Sequence, residues 1–396
     1  MSAGLLLFDA THTSHTAAQT GIQRVCRALF AELQPGHGVA PVCFDPHLNG
    51  WRPLAPGELA GLHDRSGQAG NSRGARWTLS QKISGTARRW VGAGPVLPPA
   101  TGLICPEIFS ARAGSRLAEL LAVVAGPRVA IFYDAIPLKF PELTPLTTVA
   151  RFPVYLRELL LFDGIAAISE DSAASLRDYW RWLGVDRAPP VHAIPLGIDR
   201  PLAPAAGERA PVPTPPRLLC VGTIEGRKNH LALLDACERL WGEGEAFELE
   251  LIGLPRPDTA AAALAKIQAL RASGRPLIFR GSVSEATLRQ AYAGASFTVY
   301  PSLIEGFGLP VLESLQHGKP CICSGGGALG ESARGGGCLA LDSVDPASLA
   351  FAIRHLLQDS AELTALSAAA RRRTFKTWGD YARELTAWMH TLPRRP

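Results

Sequence analysis

Two carboxylates and a glycine-containing turn stand together in the second half of the chain. Glu305 and Glu313 have seven residues between them, and Gly306 and Gly308 follow the first glutamate. Glycine lets the backbone come close to a ligand because it has no side chain in the way. The apolar sequence Leu309–Gln316 predicts a helix that begins directly after the turn. The sequence therefore predicts an acidic turn at the N-terminal end of a helix.

Three backbone N–H groups of this turn, those of Phe307, Gly308 and Leu309, are expected to point at a ligand. The partial positive charge at a helix N-terminus favours an anion such as a phosphate there. Glu305 and Glu313 would accept hydrogen bonds from sugar hydroxyls. Together these features indicate a nucleotide-sugar site. The alternative is a strand-to-helix turn that carries two solvated acids.

A second polar segment, Gly222–His230, follows the apolar segment Leu218–Val221, which opens the second predicted domain. It contains Arg227 and Lys228 side by side. Arginine binds phosphate as a bidentate fork, and lysine binds it as a point charge. The pair is therefore a candidate to grip a diphosphate. The alternative is that both are surface cations in a turn.

The segment Pro301–Glu313 reads Pro-Ser-(x)2-Glu-Gly-Phe-Gly-Leu-Pro-(x)2-Glu and resembles the E-x7-E signature of the retaining glycosyltransferases of family 4. The resemblance covers nearly the whole chain and is strongest from 218 to 325. It implies the GT-B fold, an α/β architecture of two doubly wound Rossmann-like domains that face each other across a cleft. It also implies that the configuration of the transferred sugar is retained, with no obvious enzyme nucleophile.

The resemblance implies roles for the two glutamates and the two cations. Glu313 would accept hydrogen bonds from the ribose of the donor, and Glu305 would hold the hydroxyls of the transferred sugar. Arg227 and Lys228 would neutralise the departing diphosphate, where charge grows in the transition state.

Further donor-binding residues are implied around these four. The turn would contribute the backbone of Gly306, Phe307, Gly308 and Leu309. Arg280 and Gly281 would lie beside the nucleotide base. Thr223 stands where many relatives carry an arginine, and Arg227 is expected to substitute for it.

The first half of the chain is expected to complete the site. Gly21 and Arg24 open a predicted helix after the first strand, where the family's N-terminal domain faces the diphosphate. Asp134 follows a predicted strand at its C-terminal end, where open α/β sheets bind ligands. Tyr133 stands where many relatives carry a histidine, so no histidine role is carried over. Asp134 would bind a hydroxyl of the donor or acceptor; the alternative is a turn-capping carboxylate.

Composition predicts the domain boundaries. Residues 1–200 would form an acceptor-binding domain, and 218–376 would form the domain that binds the nucleotide sugar. Between them, 201–217 is rich in proline and predicts a stiff linker. Residues 377–396 predict a last helix, which in GT-B enzymes crosses back to the first domain. A NAD-dependent dehydrogenase is disfavoured because no G-x-G-x-x-G follows the first strand.

Length and composition indicate the class of protein. A chain of 396 residues with 19% charged and 47% apolar residues predicts a globular protein of two or three domains. A net charge of +5 suits anionic substrates, and no arginine-rich module predicts nucleic-acid binding. The eight cysteines show no paired C-x-x-C spacing, and no D-x-D pair occurs, so we expect neither a metal nor another cofactor.

The expected location is the cytoplasm or the inner face of the plasma membrane. No apolar run reaches the ~18 residues that span a bilayer. Residues 50–100 are expected to be irregular, and within them Asn71–Trp90 contains basic and apolar residues without an acidic one. One interpretation of this segment is a basic, aromatic arm that contacts anionic lipid headgroups or a lipid-diphosphate acceptor. The other is a solvated surface loop.

The function expected from these features is transfer of a hexose-type sugar from GDP-mannose or a UDP-sugar to a growing glycan. By resemblance, the glycan is lipid-linked and belongs to a bacterial surface polysaccharide: O-antigen, capsule or exopolysaccharide. Two alternatives stay open, a sugar-nucleotide epimerase of the same fold and a non-catalytic scaffold with the GT-B fold.

Overall fold

The computed structural model describes residues 4–18, 21–35, 38–64, 74–92, 95–199, 214–257 and 259–394. The chain divides into two compact units. Unit 1 consists of Met1–Leu138, Leu146–Gly197 and Thr377–Pro396. Unit 2 consists of Lys139–Pro145 and Ile198–Lys376.

Unit 1 alternates strands with helices. Its strands are β1 (Leu5–Asp9), β2 (Gly38–Asp45), β3 (Gly50–Pro53), β4 (Gly102–Cys105), β5 (Arg128–Phe132), β6 (Gly164–Ala167) and β7 (Val191–Ala193). Its helices before β7 are α1 (Gly21–Leu33), α2 (Pro56–His63), α3 (Leu79–Val91), α4 (Ala111–Ser115), α5 (Leu117–Ala122), α6 (Ile136–Lys139), α7 (Leu146–Glu158) and α8 (Glu170–Trp182).

The described strands of unit 1 form one sheet in the order β3-β2-β1-β4-β5-β6-β7. All neighbours pair in parallel except β3, which pairs antiparallel with β2. Strands β4, β5 and β6 are buried along their whole length, as expected for parallel strands that are covered on both faces. The predicted first strand is confirmed as β1. The helix predicted to open at Gly21 is confirmed as α1, which begins at that residue and ends at Leu33.

Unit 2 repeats the alternation. Its strands are β8 (Arg217–Val221), β9 (Glu248–Ile252), β10 (Leu277–Arg280), β11 (Phe297–Tyr300), β12 (Cys321–Ser324) and β13 (Cys338–Leu341). Its helices are α9 (His230–Gly242), α10 (Ala261–Ala272), α11 (Glu285–Gly294), α12 (Leu309–Gln316), α13 (Gly327–Ala333), α14 (Pro346–Gln358) and α15 (Ser360–Arg372).

The described sheet of unit 2 is wholly parallel and has the order β10-β9-β8-β11-β12-β13. Counted within the unit, this is the 3-2-1-4-5-6 order of a doubly wound Rossmann sheet. Chain order reverses between β8 and β11, which pair through Phe297 with Leu218 and Thr298 with Leu219. In open α/β sheets, ligands bind at the carboxyl ends of the strands beside such a reversal. The loops after β8 and β11 therefore meet where a ligand is expected.

A last helix, α16 (Trp378–Met389), belongs to unit 1 although it follows unit 2 in sequence. Its first turn is fixed by Thr377 and Asp380, which hydrogen-bond each other's backbone N–H groups. Trp388 stacks on His192 of β7 with ring centroids 5.4 Å apart. The return of the chain therefore adds a packed element to unit 1.

The structure corrects the expectation that residues 50–100 are irregular. They contain β3, α2 and α3 in addition to connecting segments. Helix α3 begins with a capping box, in which Thr78 accepts a hydrogen bond from the N–H of Gln81 and Gln81 reaches back to Thr78. It ends at Gly92, which adopts the left-handed conformation (φ +68°) typical of a helix end.

The predicted linker 201–217 lies mostly outside the described residues. Its last residue, Arg217, is the first residue of β8.

Candidate functional site

The candidate site lies at the reversal of strand order in unit 2. The loop after β8 contains Arg227 and Lys228, and the loop after β11 contains Glu305. A backbone hydrogen bond of 2.9 Å from the N–H of Leu303 to the carbonyl of Arg227 ties the two loops together. The sheet topology thus brings together residues that are more than 70 positions apart in sequence.

Glu305 binds both cations through its two carboxylate oxygens. Its Oε2 lies 2.6 Å from Arg227 Nη1, and its Oε1 lies 2.5 Å from Lys228 Nζ. The hydroxyls of Ser302 and Tyr300 also donate to Oε1, the latter over 3.1 Å. Because all these side chains are largely buried, the arrangement is held in one geometry.

Burial and charge act in opposite directions on the ionisation of this cluster. Burial by itself would raise the pKa of Glu305, but Lys228 and Arg227 lower it to about 2. Burial lowers the pKa of Lys228, and the neighbouring Glu305 opposes that shift. Glu305 is therefore ionised at neutral pH and depends on its cations to remain so.

The charge network extends beyond the predicted residues. Glu225 Oε1 lies 2.7 Å from Arg227 Nη2, and its Oε2 lies 3.2 Å from Arg256 Nη1. Three cations (Arg227, Arg256 and Lys228) and two carboxylates leave these five groups with one net positive charge. Sequence reasoning missed Glu225 and Arg256, although Glu225 lies in the segment that it singled out.

The turn before α12 requires a glycine. Gly308 has φ +108°, and a Cβ there would lie 2.9 Å from Leu329 Cδ2. Within the described residues, the N–H groups of Phe307, Gly308 and Leu309 donate no hydrogen bond. These are the amides that the sequence predicts to face an anion, and they stand at the positive end of the α12 dipole.

Glu313 lies on the second turn of α12 and is half-buried. Its Oε2 accepts a hydrogen bond of 3.1 Å from the hydroxyl of Tyr292. The Tyr292 ring in turn stacks on His317, with centroids 5.0 Å apart and planes within 7°. Two side chains that sequence reasoning did not name therefore hold this carboxylate in place.

The other predicted donor-binding residues of unit 2 lie at the ends of β8 and β10. Thr223 lies two residues after the end of β8, and the carbonyl of Gly281 accepts a hydrogen bond of 3.1 Å from the N–H of Gly253. Arg280, the last residue of β10, places Nε 2.7 Å from Glu250 Oε1. The ion pair with the buried Glu250 gives Arg280 a structural contact in this structure; its predicted contact with the base stays a prediction.

Gly21, Arg24 and Asp134 lie in unit 1. Gly21 is the first residue of α1, and a Cβ there would meet open space. Asp134 follows β5, and its Oδ1 accepts a hydrogen bond of 3.0 Å from the N–H of Ile136. Asp134 thus caps its own turn, as the alternative interpretation expects; a ligand role for it stays a prediction.

Unit 1 has a buried polar cluster of its own beside the reversal of its strand order. Glu107, in the loop after β4, accepts hydrogen bonds from the N–H groups of His12 and Thr13 over 2.6 and 2.7 Å. Asp9, the last residue of β1, accepts from Thr11. Burial and the charge of Glu107 raise the pKa of Asp9 to about 7. Sequence reasoning missed this cluster because Glu107 is distant in sequence from the residues that it binds.

Within the described residues, one group of possible metal ligands lies close together: His15, Cys43 and Glu58. Arg52 already binds both oxygens of Glu58, with Nη1 and Nη2 at 2.7 and 2.6 Å. His15 Nε2 lies 2.8 Å from the same carboxylate. Because a guanidinium occupies the carboxylate, this group is better explained as a buried ion network than as a metal site.

Comparison with known sequences finds a family to which part of the second unit is similar. Residues 215–359 match the model of the family described as glycosyl transferases group 1. The serotype-specific mannosyltransferase WbdA of Escherichia coli is 27% identical over 344 residues, which are 80% of this chain and 38% of WbdA. The O-antigen chain mannosyltransferase B of Escherichia coli is 33% identical over 141 residues, 35% of each chain. This chain thus spans less than half the length of these curated relatives.

Comparison with solved structures identifies the fold. Sucrose-phosphate synthase from Thermosynechococcus elongatus superposes with a TM-score of 0.67 at 22% identity, over 98% of each chain. HepE of Anabaena, in complex with UDP and glucose, superposes with a TM-score of 0.65 at 16% identity, over 98% of this chain and 99% of that one.

The fold of this chain is therefore GT-B, built from two doubly wound Rossmann-like units, as the sequence predicts. Residues 215–359 of the chain are similar to the glycosyl transferases group 1 family. The family model and the relatives support the enzyme class expected from the sequence, a glycosyltransferase.

Proposed function

We propose that this protein transfers mannose from a nucleotide-linked donor to a growing glycan of a bacterial surface polysaccharide, with retention of configuration. The observation that carries the proposal is the cluster in which Glu305 fixes Arg227 and Lys228 beside the strand reversal of unit 2. The relatives named as mannosyltransferases, WbdA and the O-antigen chain enzyme, support the choice of sugar and of polymer. GDP-mannose is the first candidate donor, and a UDP-sugar is the second.

The leaving group of such a donor is a nucleoside diphosphate, whose negative charge grows as the bond to the sugar breaks. Arg227 and Lys228 are already held in place before any ligand arrives, so they can stabilise that charge without reorganisation. The three amides at the start of α12 add donors for phosphate oxygens. We therefore propose a metal-independent reaction, because fixed cations and amides supply the charge stabilisation.

In this proposal the two glutamates have different tasks. Glu313, held by Tyr292, accepts hydrogen bonds from the ribose hydroxyls. Glu305 orients the two cations. When a phosphate binds one of these cations, the carboxylate oxygen that held it becomes free and accepts a hydrogen bond from a hydroxyl of the transferred sugar. Gly306–Gly308 bring the backbone close to that sugar.

We propose that unit 1 binds the acceptor and contributes to donor binding. Gly21 and Arg24, at the start of α1, are proposed to face the diphosphate, and Asp134 is proposed to face a sugar hydroxyl. We propose that the acceptor is lipid-linked and that the enzyme works at the cytoplasmic face of the plasma membrane. None of the helices in the described part of the chain has the length and apolarity to cross a bilayer.

The donor contact is tested by replacing Lys228. The purified protein is titrated calorimetrically with GDP, UDP, GDP-mannose and UDP-glucose, which also identifies the nucleotide. K228A is expected to weaken binding of the preferred nucleotide by about 2–5 kcal/mol, the usual effect of removing one partner of a buried charge pair. K266A is the matched control, because Lys266 binds Asp235 and Glu238 on the surface of unit 2. Unchanged affinity in K228A would remove Lys228 from the site.

The reaction itself is tested with the preferred donor and glycan acceptors. Acceptor-dependent release of the nucleotide, with formation of an α-linked mannoside from an α-linked donor, is expected. Conversion of UDP-GlcNAc in the absence of any acceptor would show an epimerase instead. If E305A left polymer synthesis intact in cells, the scaffold interpretation would replace the proposal.

A further inference from the structure

Helix α3 (Leu79–Val91) is attached to unit 1 through one of its faces. Gln81 Nε2 donates a hydrogen bond of 2.7 Å to Glu58 Oε1. Gly85, four residues later and the one buried residue of the helix, packs so closely that a Cβ there would lie 2.9 Å from His47 Cβ. Just before the helix, Trp77 stacks on the buried His15 with centroids 3.8 Å apart. These contacts fix which face of α3 is turned towards unit 1.

The opposite face is apolar and exposed. Leu79, Ile83 and Trp90 are 72%, 62% and 86% exposed. Their spacings of four and seven residues place them on one side of a helix, away from the row of Gln81 and Gly85. An α-helix of a globular protein normally turns such a stripe towards the core. Here the stripe packs against no part of the chain that the structure describes.

Basic residues lie along one side of this stripe. Lys82 and Arg89 are seven residues apart and form a row next to it, whereas Arg88, seven residues after Gln81, lies on the other side of the helix. The sequence from Arg76 to Val91 contains no acidic residue. All four cations of this sequence, Arg76 among them, have exposed side chains. The helix therefore presents large apolar side chains next to uncompensated positive charge.

We propose that this face of α3 docks unit 1 on an anionic lipid bilayer. An interfacial helix of this kind buries its apolar face at the boundary of headgroups and acyl chains, while its cations bind anionic headgroups. The positive charge of this face favours an anionic lipid bilayer over a second copy of the chain as its partner. In an antiparallel two-fold dimer through this face, the row of Lys82 and Arg89 would meet the same row of the partner. An anionic bilayer complements both the apolar stripe and the cations.

The experiment is flotation of the full-length protein with vesicles, without nucleotide or acceptor. Vesicles of phosphatidylcholine mixed with phosphatidylglycerol are compared with vesicles of phosphatidylcholine alone. The protein is expected to float with the anionic vesicles and to be released by high salt, because headgroup attraction is screened. K82E should reduce binding by more than about fivefold, the effect of removing one charge near an anionic surface, and R89E likewise.

The apolar contribution is tested with W90S. Trp90 is exposed, so the variant is expected to keep the thermal midpoint of the wild type while it loses most vesicle binding. W182S is the matched control, because Trp182 is a 79% exposed tryptophan on α8 of the same unit and is expected to be without effect.

Three results would overturn the proposal. They are equal binding to neutral and anionic vesicles, an equal loss in W182S and W90S, and no flotation of the wild type. A dimer in sedimentation velocity that W90S converts to a monomer would assign the face to a second copy. Vesicle binding is measured without sugar transfer. The docking proposal can therefore be wrong while the proposed function is right, and the proposed function can be wrong while the docking proposal is right.

Discussion

Glu305 combines four contacts in one carboxylate: two cations and two hydroxyls. Such a group cannot lose its charge without leaving Arg227 and Lys228 facing each other in a buried place. Removing one partner of a buried ion pair typically costs more than the pair contributes, because the remaining charge is left uncompensated. At the residue scale, Glu305 is therefore a structural requirement for the site as well as a candidate ligand-binding group.

The pH dependence of stability tests this role. The pKa of Glu305 in the folded protein is about 2, below the ordinary value of 4.5, so its contribution is present above pH 4.5 and is lost as the pH falls through about 2. E305Q is expected to have a free energy of unfolding about 3 kcal/mol below that of the wild type at pH 7. The difference should shrink between pH 4.5 and 2. Urea unfolding of both proteins at a series of pH values measures it.

The matched control is E119Q. Glu119 pairs with Arg116, and both side chains are more than 40% exposed, so its removal should cost less than about 1 kcal/mol. A difference between wild type and E305Q that stays constant from pH 7 to 2 would contradict the assigned ionisation.

At the scale of elements, the turn from β11 into α12 fixes the positions of the N–H groups of Phe307, Gly308 and Leu309. Gly308 is the residue on which its geometry depends, since it combines a left-handed backbone with close packing against Leu329 and Ser332. The dipole of α12 then acts on whatever occupies the position in front of the turn.

G308A is therefore expected to disturb this element. A side chain in the left-handed region costs about 1–3 kcal/mol, and relief of the contact with Leu329 would displace the turn. We expect a lower thermal midpoint together with weaker binding of the nucleoside diphosphate. The control is G242A at the end of α9, where a Cβ meets open space, which should be neutral or stabilise by up to ~1 kcal/mol. If G308A bound the nucleotide like the wild type, the turn would not form the diphosphate site.

Helix α3 shows how an element can be missed. Three large apolar residues, Leu79, Ile83 and Trp90, recur in it at helical spacing, but they are too few to predict a helix by periodicity, and they do not face a core. The signals at its ends were nevertheless present in the sequence: Thr78 and Gln81 at the spacing of a capping box, and Gly92 after the last turn. Capping residues predict where a helix can begin and end even when its exposed face is apolar.

At the scale of the whole molecule, α16 is the element by which the end of the chain returns to unit 1. Trp378, Tyr381, Leu385 and Met389 are all buried there. Each such side chain contributes about 1.5–3 kcal/mol by burial, and a domain has only about 5–15 kcal/mol of total stability.

A chain that ends at Lys376 is therefore expected to lose the fold of unit 1 while it keeps that of unit 2. Amide hydrogen exchange followed by mass spectrometry distinguishes the two units. Peptides from β4, β5 and β6 should lose protection, and peptides from β8, β9 and β11 should keep it. A chain that ends at Leu392 retains α16 and serves as the control. Full protection of unit 1 in the shorter chain would show that α16 is dispensable.

The sequence predicted those parts of the site that depend on local patterns. Arg227, Lys228 and Glu305 each follow an apolar strand, and strand order in a doubly wound sheet brings such loops together. The partners that hold them could not be predicted in the same way. Arg256 binds Glu225, and Tyr292 binds Glu313, because of how loops and helices pack in the folded protein. Local sequence patterns do not show such contacts. The cluster of Asp9 and Glu107 was missed for the same reason.

The most direct test of the account is a crystal structure of the protein with its preferred nucleoside diphosphate. We predict that the phosphate oxygens lie within about 3 Å of the N–H groups of Gly308 and Leu309, with Lys228 Nζ in hydrogen-bond contact. The ribose hydroxyls should donate to Glu313. A nucleotide bound elsewhere on unit 2, or one whose diphosphate contacts neither the α12 amides nor Lys228, would contradict the account.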